Sequence, residues 1–337
     1  MAKANRLALS VLVVLSFAAF AAAQSYTITD LGPGQPLAIN SLGDVAIGNA
    51  PISFVWSPGG GLLALAPLPG DSFTWPGGIN GQCLAVGYSQ NSSGGVYLAV
   101  LWTNGEPLDL GTLAGRTYSA AIAINASGEV VGYSTLPRRA TEAFLWTKET
   151  GMQGLGFLPG GDYSLAEAIN RYGQVAGVST TNGGTISYAF LWSKTTGMQN
   201  LGKLPGYDSS GAAAINDLGQ VAGESACISC RLYTHATLWS KAKGSMLDLG
   251  VPPGGTYSSA RGINNVGQVV GVVFYANNQF HPFVWSPSTG MLDLNNLIPA
   301  NSGWLLQTAN AINDQGQIVG YGTLNGFQPE AFLLTPQ

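Results

Sequence analysis

Ile-Asn occurs seven times along this chain, as Ile39-Asn40, Ile79-Asn80, Ile124-Asn125, Ile169-Asn170, Ile215-Asn216, Ile263-Asn264 and Ile312-Asn313, at intervals of 40 to 49 residues. The surrounding pattern is fullest at Ala166-Glu167-Ala168-Ile169-Asn170-Arg171-Tyr172-Gly173-Gln174-Val175-Ala176-Gly177. A period of that length running end to end means one supersecondary unit used many times, which argues for a single closed or stacked body.

The copy spanning 160–204 shows what the unit is. It divides into four strand-like pieces, 164–170, 174–179, 188–193 and 198–204. Each is short, alternating or rich in β-branched and aromatic residues, with Gly, Asn or Thr-Gly between, and no stretch sustains a helical period. Asn at the first corner and Gly three residues later predict a type I turn closed by a left-handed residue. Gly43, Gly128, Gly173, Gly219, Gly267 and Gly316 fit; Cys83 takes that place in the second copy and implies a different or strained turn. A second Gly, at 87, 132, 177, 223, 271 and 320, falls inside the second strand, where a missing side chain admits a neighbouring backbone; Ile47 breaks this rule in the first copy.

The third strand ends in Trp at 56, 102, 146, 192, 239 and 285, and in Phe332-Leu333-Leu334 in the last copy. Six indoles at one repeat position predict a core made between units. The fourth strand carries Asp-Leu-Gly or a relative, as in Asp109-Leu110-Gly111 and Asp248-Leu249-Gly250. The seventh copy has three pieces and no fourth, whereas Tyr26-Thr27-Ile28-Thr29-Asp30-Leu31-Gly32 has the fourth-strand signature and no first three before it. If that segment completes the last sheet, the fold is an all-β, seven-bladed β-propeller with four antiparallel strands per blade, closed by its amino-terminal strand.

Composition bounds the rest. Charged residues make up 9% of the chain and hydrophobic ones 46%, beside 47 Gly and 18 Pro, which excludes a solvated disordered chain. Residues 1–23 read as a secretory signal: Lys3 and Arg6, an apolar run from Leu7 to Phe20, then Ala21-Ala22-Ala23. The expectation is a secreted protein, periplasmic or extracellular, with 24–337 as its single domain and no membrane span once the signal is removed. Net charge is −4, or −6 without Lys3 and Arg6, and no basic run exists, so nucleic acid is not an expected partner. Three cysteines are too few for a disulfide framework; Cys227 and Cys230 read as a local disulfide rather than a redox pair or half a zinc site.

The Ala-Ile-Asn-x-x-Gly-x-Val-x-Gly run, the Ala-Phe-Leu-Trp strand and the Gly-Met-x-x-Leu-Gly strand together resemble the HAF repeat, a family of exported bacterial repeat proteins, over about residues 26–337. His-Ala-Phe itself survives in part, at His235-Ala236-Thr237 and His281-Pro282-Phe283. The resemblance implies export and a repeat fold and names no reaction.

Because the repeat is its own control, a residue type shared by most copies serves the scaffold, and a polar departure in one copy needs another reason. By that test the Asn residues are turn formers and His235 and His281 are strand-start residues. Loops between second and third strands vary most and share a face with the links between blades, and that face is where a ligand is expected. Aromatics crowd those links: Phe73, Trp75, Tyr118, Tyr163, Tyr207, Tyr257 and Trp304. Trp75 and Trp304 are the two Trp residues that are not third-strand anchors. Three residues before the Asn, Glu167, Arg261 and Asn310 depart from an apolar or small norm and are expected to face the central channel; Arg116, Asp162 and Asp208 are further departures nearby.

These residues make a non-enzymatic binding or interaction module the leading expectation, with aromatic rings stacking on an extracellular glycan, peptide or protein. The second reading is a polysaccharide-active hydrolase or lyase using an acidic pair, Asp162 with Glu167 or Asp208, at the channel mouth. A structural surface or matrix protein is the third. No calcium loop, phosphate-binding loop or nucleophile elbow occurs, so neither metal nor cofactor is called for, and a monomer is expected.

Overall fold

Each repeat folds into one four-stranded antiparallel sheet, and seven such blades close into a ring in a computed structural model. The described residues are 25–337 apart from 92–94, 137–140, 182, 185, 228–232, 241–243 and 277. Residues 1–23, read above as a secretory signal, lie outside them, as do Cys230 and Arg231, the latter a further polar departure of the same kind as Arg116. Blade 4 runs Ser164–Ile169, Val175–Thr181, Ile186–Ser193 and Gly197–Asn200. Its fourth strand is shorter than expected, because Leu201 leaves it to pack inward and Leu204 is buried beyond it.

The last blade, which we number 7, settles the topology. Its first three strands are Trp304–Ile312, Ile318–Leu324 and Pro329–Pro336, and its fourth is Tyr26–Gly32, paired from Tyr26 opposite Pro336 to Gly32 opposite Ala331. Among the described residues seven hydrophobic clusters are found, each spanning two adjacent blades. The cluster between blades 2 and 3, for example, joins Val86, Leu101 and Leu110 to Ile124, Phe144 and Trp146. The third-strand Trp therefore does what its spacing implied: it glues neighbours, since a single sheet cannot bury its own face.

The Asn repeated in every blade does more than form turns. Its Oδ1 accepts from the backbone N–H groups two and four residues on, as at Leu42 and Asp44 for Asn40. Its Nδ2 donates to the backbone carbonyl of the next blade's Asn, from Asn40 to Asn80 and onward until Asn313 returns to Asn40, at 2.9–3.2 Å. Seven buried amides thus form an unbroken hydrogen-bonded circle at one end of the channel. Cys83 keeps the same turn as its counterparts, with φ at 58° and its N–H donating to the Asn80 carbonyl at 3.1 Å, so the exceptional residue adopts the left-handed conformation itself.

Candidate functional site

The innermost strands are the seven first strands, which touch one another around the whole ring. Those of blades 6 and 7 carry a second irregularity earlier in the strand, and all seven share one β-bulge, seen as a register shift between residues such as Ala166 and Ala168 or Ala260 and Gly262. The extra residues are Leu37, Gly77, Ile122, Glu167, Ala213, Arg261 and Asn310, all three positions before the Asn. A bulge leaves one residue out of the ladder and re-aims it. The position singled out in the sequence is therefore the bulge in every blade. Blades 1 to 3 fill it with Leu, Gly and Ile; blades 4 to 7 carry Glu, Ala, Arg and Asn.

On the polar side lies a cavity of about 380 Å³ lined by Glu167, Glu224, Arg261, Ser187 and Ser259 among others. Its room comes from blade 5, whose first strand, Ser209–Ile215, supplies Gly211, Ala212 and Ala213. A Cβ built on Gly211 would meet nothing within 4 Å. Glu224 stands across the ladder from Gly211. Arg261 donates from Nη1 to Asn310 Oδ1 at 2.7 Å, and Asn310 donates to the Pro36 carbonyl at 2.8 Å, so these two tie blades 6, 7 and 1 together at the channel. Arg261 keeps solvent-accessible surface, yet it is walled in by protein, and that burial lowers its pKa against the opposing charges of Tyr321 and Glu224.

Burial also pushes the Glu167 carboxyl up from 4.5 to about 7. In that window the folded protein holds a proton that the unfolded chain has released, so stability falls as pH rises from about 4.5 to about 7. The Tm of E167Q relative to the native protein should therefore climb across that window and level off above it. A difference that stays constant with pH would show that the carboxyl titrates normally.

An aromatic array lies on blades 2 and 3. Phe73 stacks on Trp75 with centroids 6.1 Å apart and planes 3° from parallel, and lies 6.1 Å from Tyr88. Tyr88 meets Tyr97 at 5.6 Å, and Tyr97 meets Tyr118 at 5.0 Å and Tyr133 at 6.5 Å. All six rings are half-buried, leaving part of each accessible. Burial raises the Tyr133 hydroxyl well above its usual range, with Tyr97, Tyr88 and Tyr163 adding to it; Tyr163 in turn is raised by burial and then by the charge of Glu167. The rings thus run in contact from blade 2 to blade 3. They occupy the starts of first strands, ends of second strands and starts of third strands, which is the face of the variable loops. A smaller group, Tyr233, Tyr257, Phe274 and Phe280, sits on blades 5 and 6.

Not all the candidates converge. Trp75 and Trp304, expected in inter-blade links, lie in first strands, Phe73–Ile79 and Trp304–Ile312. Trp304 packs edge-on against Phe332 at 5.9 Å in the core between blades 6 and 7, while Trp75 covers Gly48 of blade 1, where a Cβ would come within 2.9 Å of the indole. Arg116 forms an ion pair with Glu142 at 2.6 Å, and Asp162 accepts from Thr180 Oγ1 at 3.2 Å beside Gly184. Both acts brace the loop face. Asp208 holds its link through its N–H on the Ala226 carbonyl, and Tyr207 packs 5.6 Å from His235. His235 and His281 each place Nδ1 on an acidic partner, Asp248 at 2.9 Å and Asp293 at 2.6 Å, which clasps third to fourth strand in consecutive blades. Cys227 is disulfide-bonded.

Glu224, Tyr88, Tyr97 and Tyr133 escaped the sequence reading. Three of them follow the repeated second-strand Gly, where Val178, Val272 and Tyr321 are the counterparts, so comparing copies at that position would have found them.

No protein-family model matches the chain, and no curated protein does. Among solved structures it is similar to a streptogramin B lyase, at 10% identity and a TM-score of 0.57, covering 93% of this chain and 98% of that one. Virginiamycin B lyase from Staphylococcus aureus matches at 11% and 0.57, covering 92% and 99%. Oligogalacturonate lyase from Vibrio parahaemolyticus matches at 12% and 0.59, covering 91% and 93%. At such identities the likeness is one of architecture, and it agrees with the seven closed blades: the chain is a seven-bladed β-propeller.

Proposed function

We propose that this chain is an exported propeller of the HAF-repeat kind that binds an extracellular glycan across its loop face. The observation that carries the reading is the run of half-buried rings from Phe73 and Trp75 to Tyr118 and Tyr133 on that face. Rings held by neighbours lose little entropy on binding and offer flat apolar surfaces to the faces of sugar rings. Among the described residues no helix is long and apolar enough to cross a membrane. On a glycan array Y97A should weaken binding by about 10-fold or more, the scale of a central aromatic anchor. The variant's Tm serves as the control, and unchanged binding by a folded Y97A would end the reading.

A polysaccharide-active enzyme is the second reading, favoured by Glu167 with its raised pKa and Glu224 in one cavity. Glu224, rather than Asp162, is the acid that shares the cavity. Product release from a polysaccharide panel that disappears in E167Q would support it.

A further inference from the structure

Three ionisable side chains, Glu167, Glu224 and Arg261, line the cavity between blades 4 and 6. Among the described residues no ion pair links them to one another, and Arg261 donates to the neutral amide of Asn310. The strands explain the separation. Glu167 and Arg261 are bulge residues two blades apart, and the intervening blade offers Ala213 at the equivalent position and open space beside Gly211. The first strand of the intervening blade carries no side chain beyond a methyl at these positions, so the one charge that blade brings to the cavity is Glu224 on its second strand. Ser187, Ser209 and Ala226 among the lining residues lie at the loop-face ends of their strands, so the cavity opens on the face already assigned to binding.

We infer that this cavity binds a small zwitterion, its ammonium between Glu167 and Glu224 and its carboxylate on Arg261. Opposite charges held apart by rigid strands are better satisfied by a ligand that brings both complements than by one that brings either alone. The volume, about 380 Å³, suits a free amino acid or a short peptide and is too small for an oligosaccharide chain. The inference rests on the loop face being the binding face, and it assigns the cavity a ligand distinct from the glycan on the aromatic array.

Isothermal titration of the full-length exported chain with free amino acids, with di- and tripeptides, with alkylamines and with alkyl carboxylates tests it. Binding of either zwitterion class is expected, with alkylamines and carboxylates at least 10-fold weaker, and the two zwitterion arms tell free amino acid from peptide. E224Q and R261M should each weaken the zwitterion at least 10-fold. G211V removes no charge and occupies free space, and it should abolish binding while leaving Tm unchanged. An amine that binds as tightly as the zwitterion, zwitterion binding untouched by G211V, or no zwitterion binding at all would overturn the assignment. Absence of zwitterion binding by the native chain with glycan binding intact sinks this inference alone, whereas failure of Y97A to affect glycans sinks the wider reading.

Discussion

Deleting residues 26–32 should leave a protein that aggregates or melts at least 10 °C below the full chain, on the order of 5 kcal/mol of lost stability or more. Tyr26 is fully buried in the core between blades 6 and 7, and Leu31 is buried in the core between blades 7 and 1. Removing both side chains is two large core truncations, each costing about 2–5 kcal/mol, against a total stability of about 5–15 kcal/mol. The deletion also strips six registered pairs from the third strand of blade 7, Tyr26 opposite Pro336 through Gly32 opposite Ala331, and leaves Pro329–Pro336 as a bare edge. Adding the 26–32 peptide in trans should recover part of the lost Tm, because the vacated edge is its template. A deletion variant that melts where the full chain does would show that the ring is held shut without its amino-terminal strand.

Alanine at the second-strand glycines should be the most damaging of the small substitutions. A Cβ on Gly132, Gly177, Gly223, Gly271 or Gly320 would lie 1.9–2.0 Å from a first-strand carbonyl oxygen of the same blade. The obstacle is backbone, so relief requires the bulged first strand to shift, and with it the channel lining. Overpacking of this kind costs about 1–3 kcal/mol or more, and G177A should sit at the upper end, lowering Tm by roughly 4–6 °C. G211A provides the control, since its Cβ meets open space. It should be neutral or gain about 0.5 kcal/mol through the lost freedom of the unfolded chain. Equal melting of G177A and G211A would show that the close approach can relax freely. Because the bulges carry Glu167 and Arg261, G177A should also weaken any ligand held in the cavity.

The fold was legible because the repeat carries its own punctuation. Turn corners at Asn and Gly, a bare second-strand position and a Trp at the third strand's end recur with the period of a blade, and each has one local physical cause. The complementary fragments at the two ends then left one closure. The site was less legible, for a reason that Trp304 and Glu224 show from opposite sides. Trp304 looked like an exposed departure, yet its ring is absorbed by Phe332, a residue of the same blade reached only through the sheet. Glu224 looked like an ordinary strand residue, yet the ladder puts it opposite Gly211 at the cavity wall.

By itself the sequence determined the number of blades, the order of strands within each, the closure by Tyr26–Gly32 and the cores between neighbours. These follow from local turn chemistry and from apolar periodicity, which act over a few residues. Tertiary structure alone decided the circle of Asn amides, the bulge that aims one residue per blade at the channel, and the meeting of Glu167, Glu224 and Arg261 around one cavity. Those contacts join residues about 40 to 270 positions apart, and only ring geometry sets such distances.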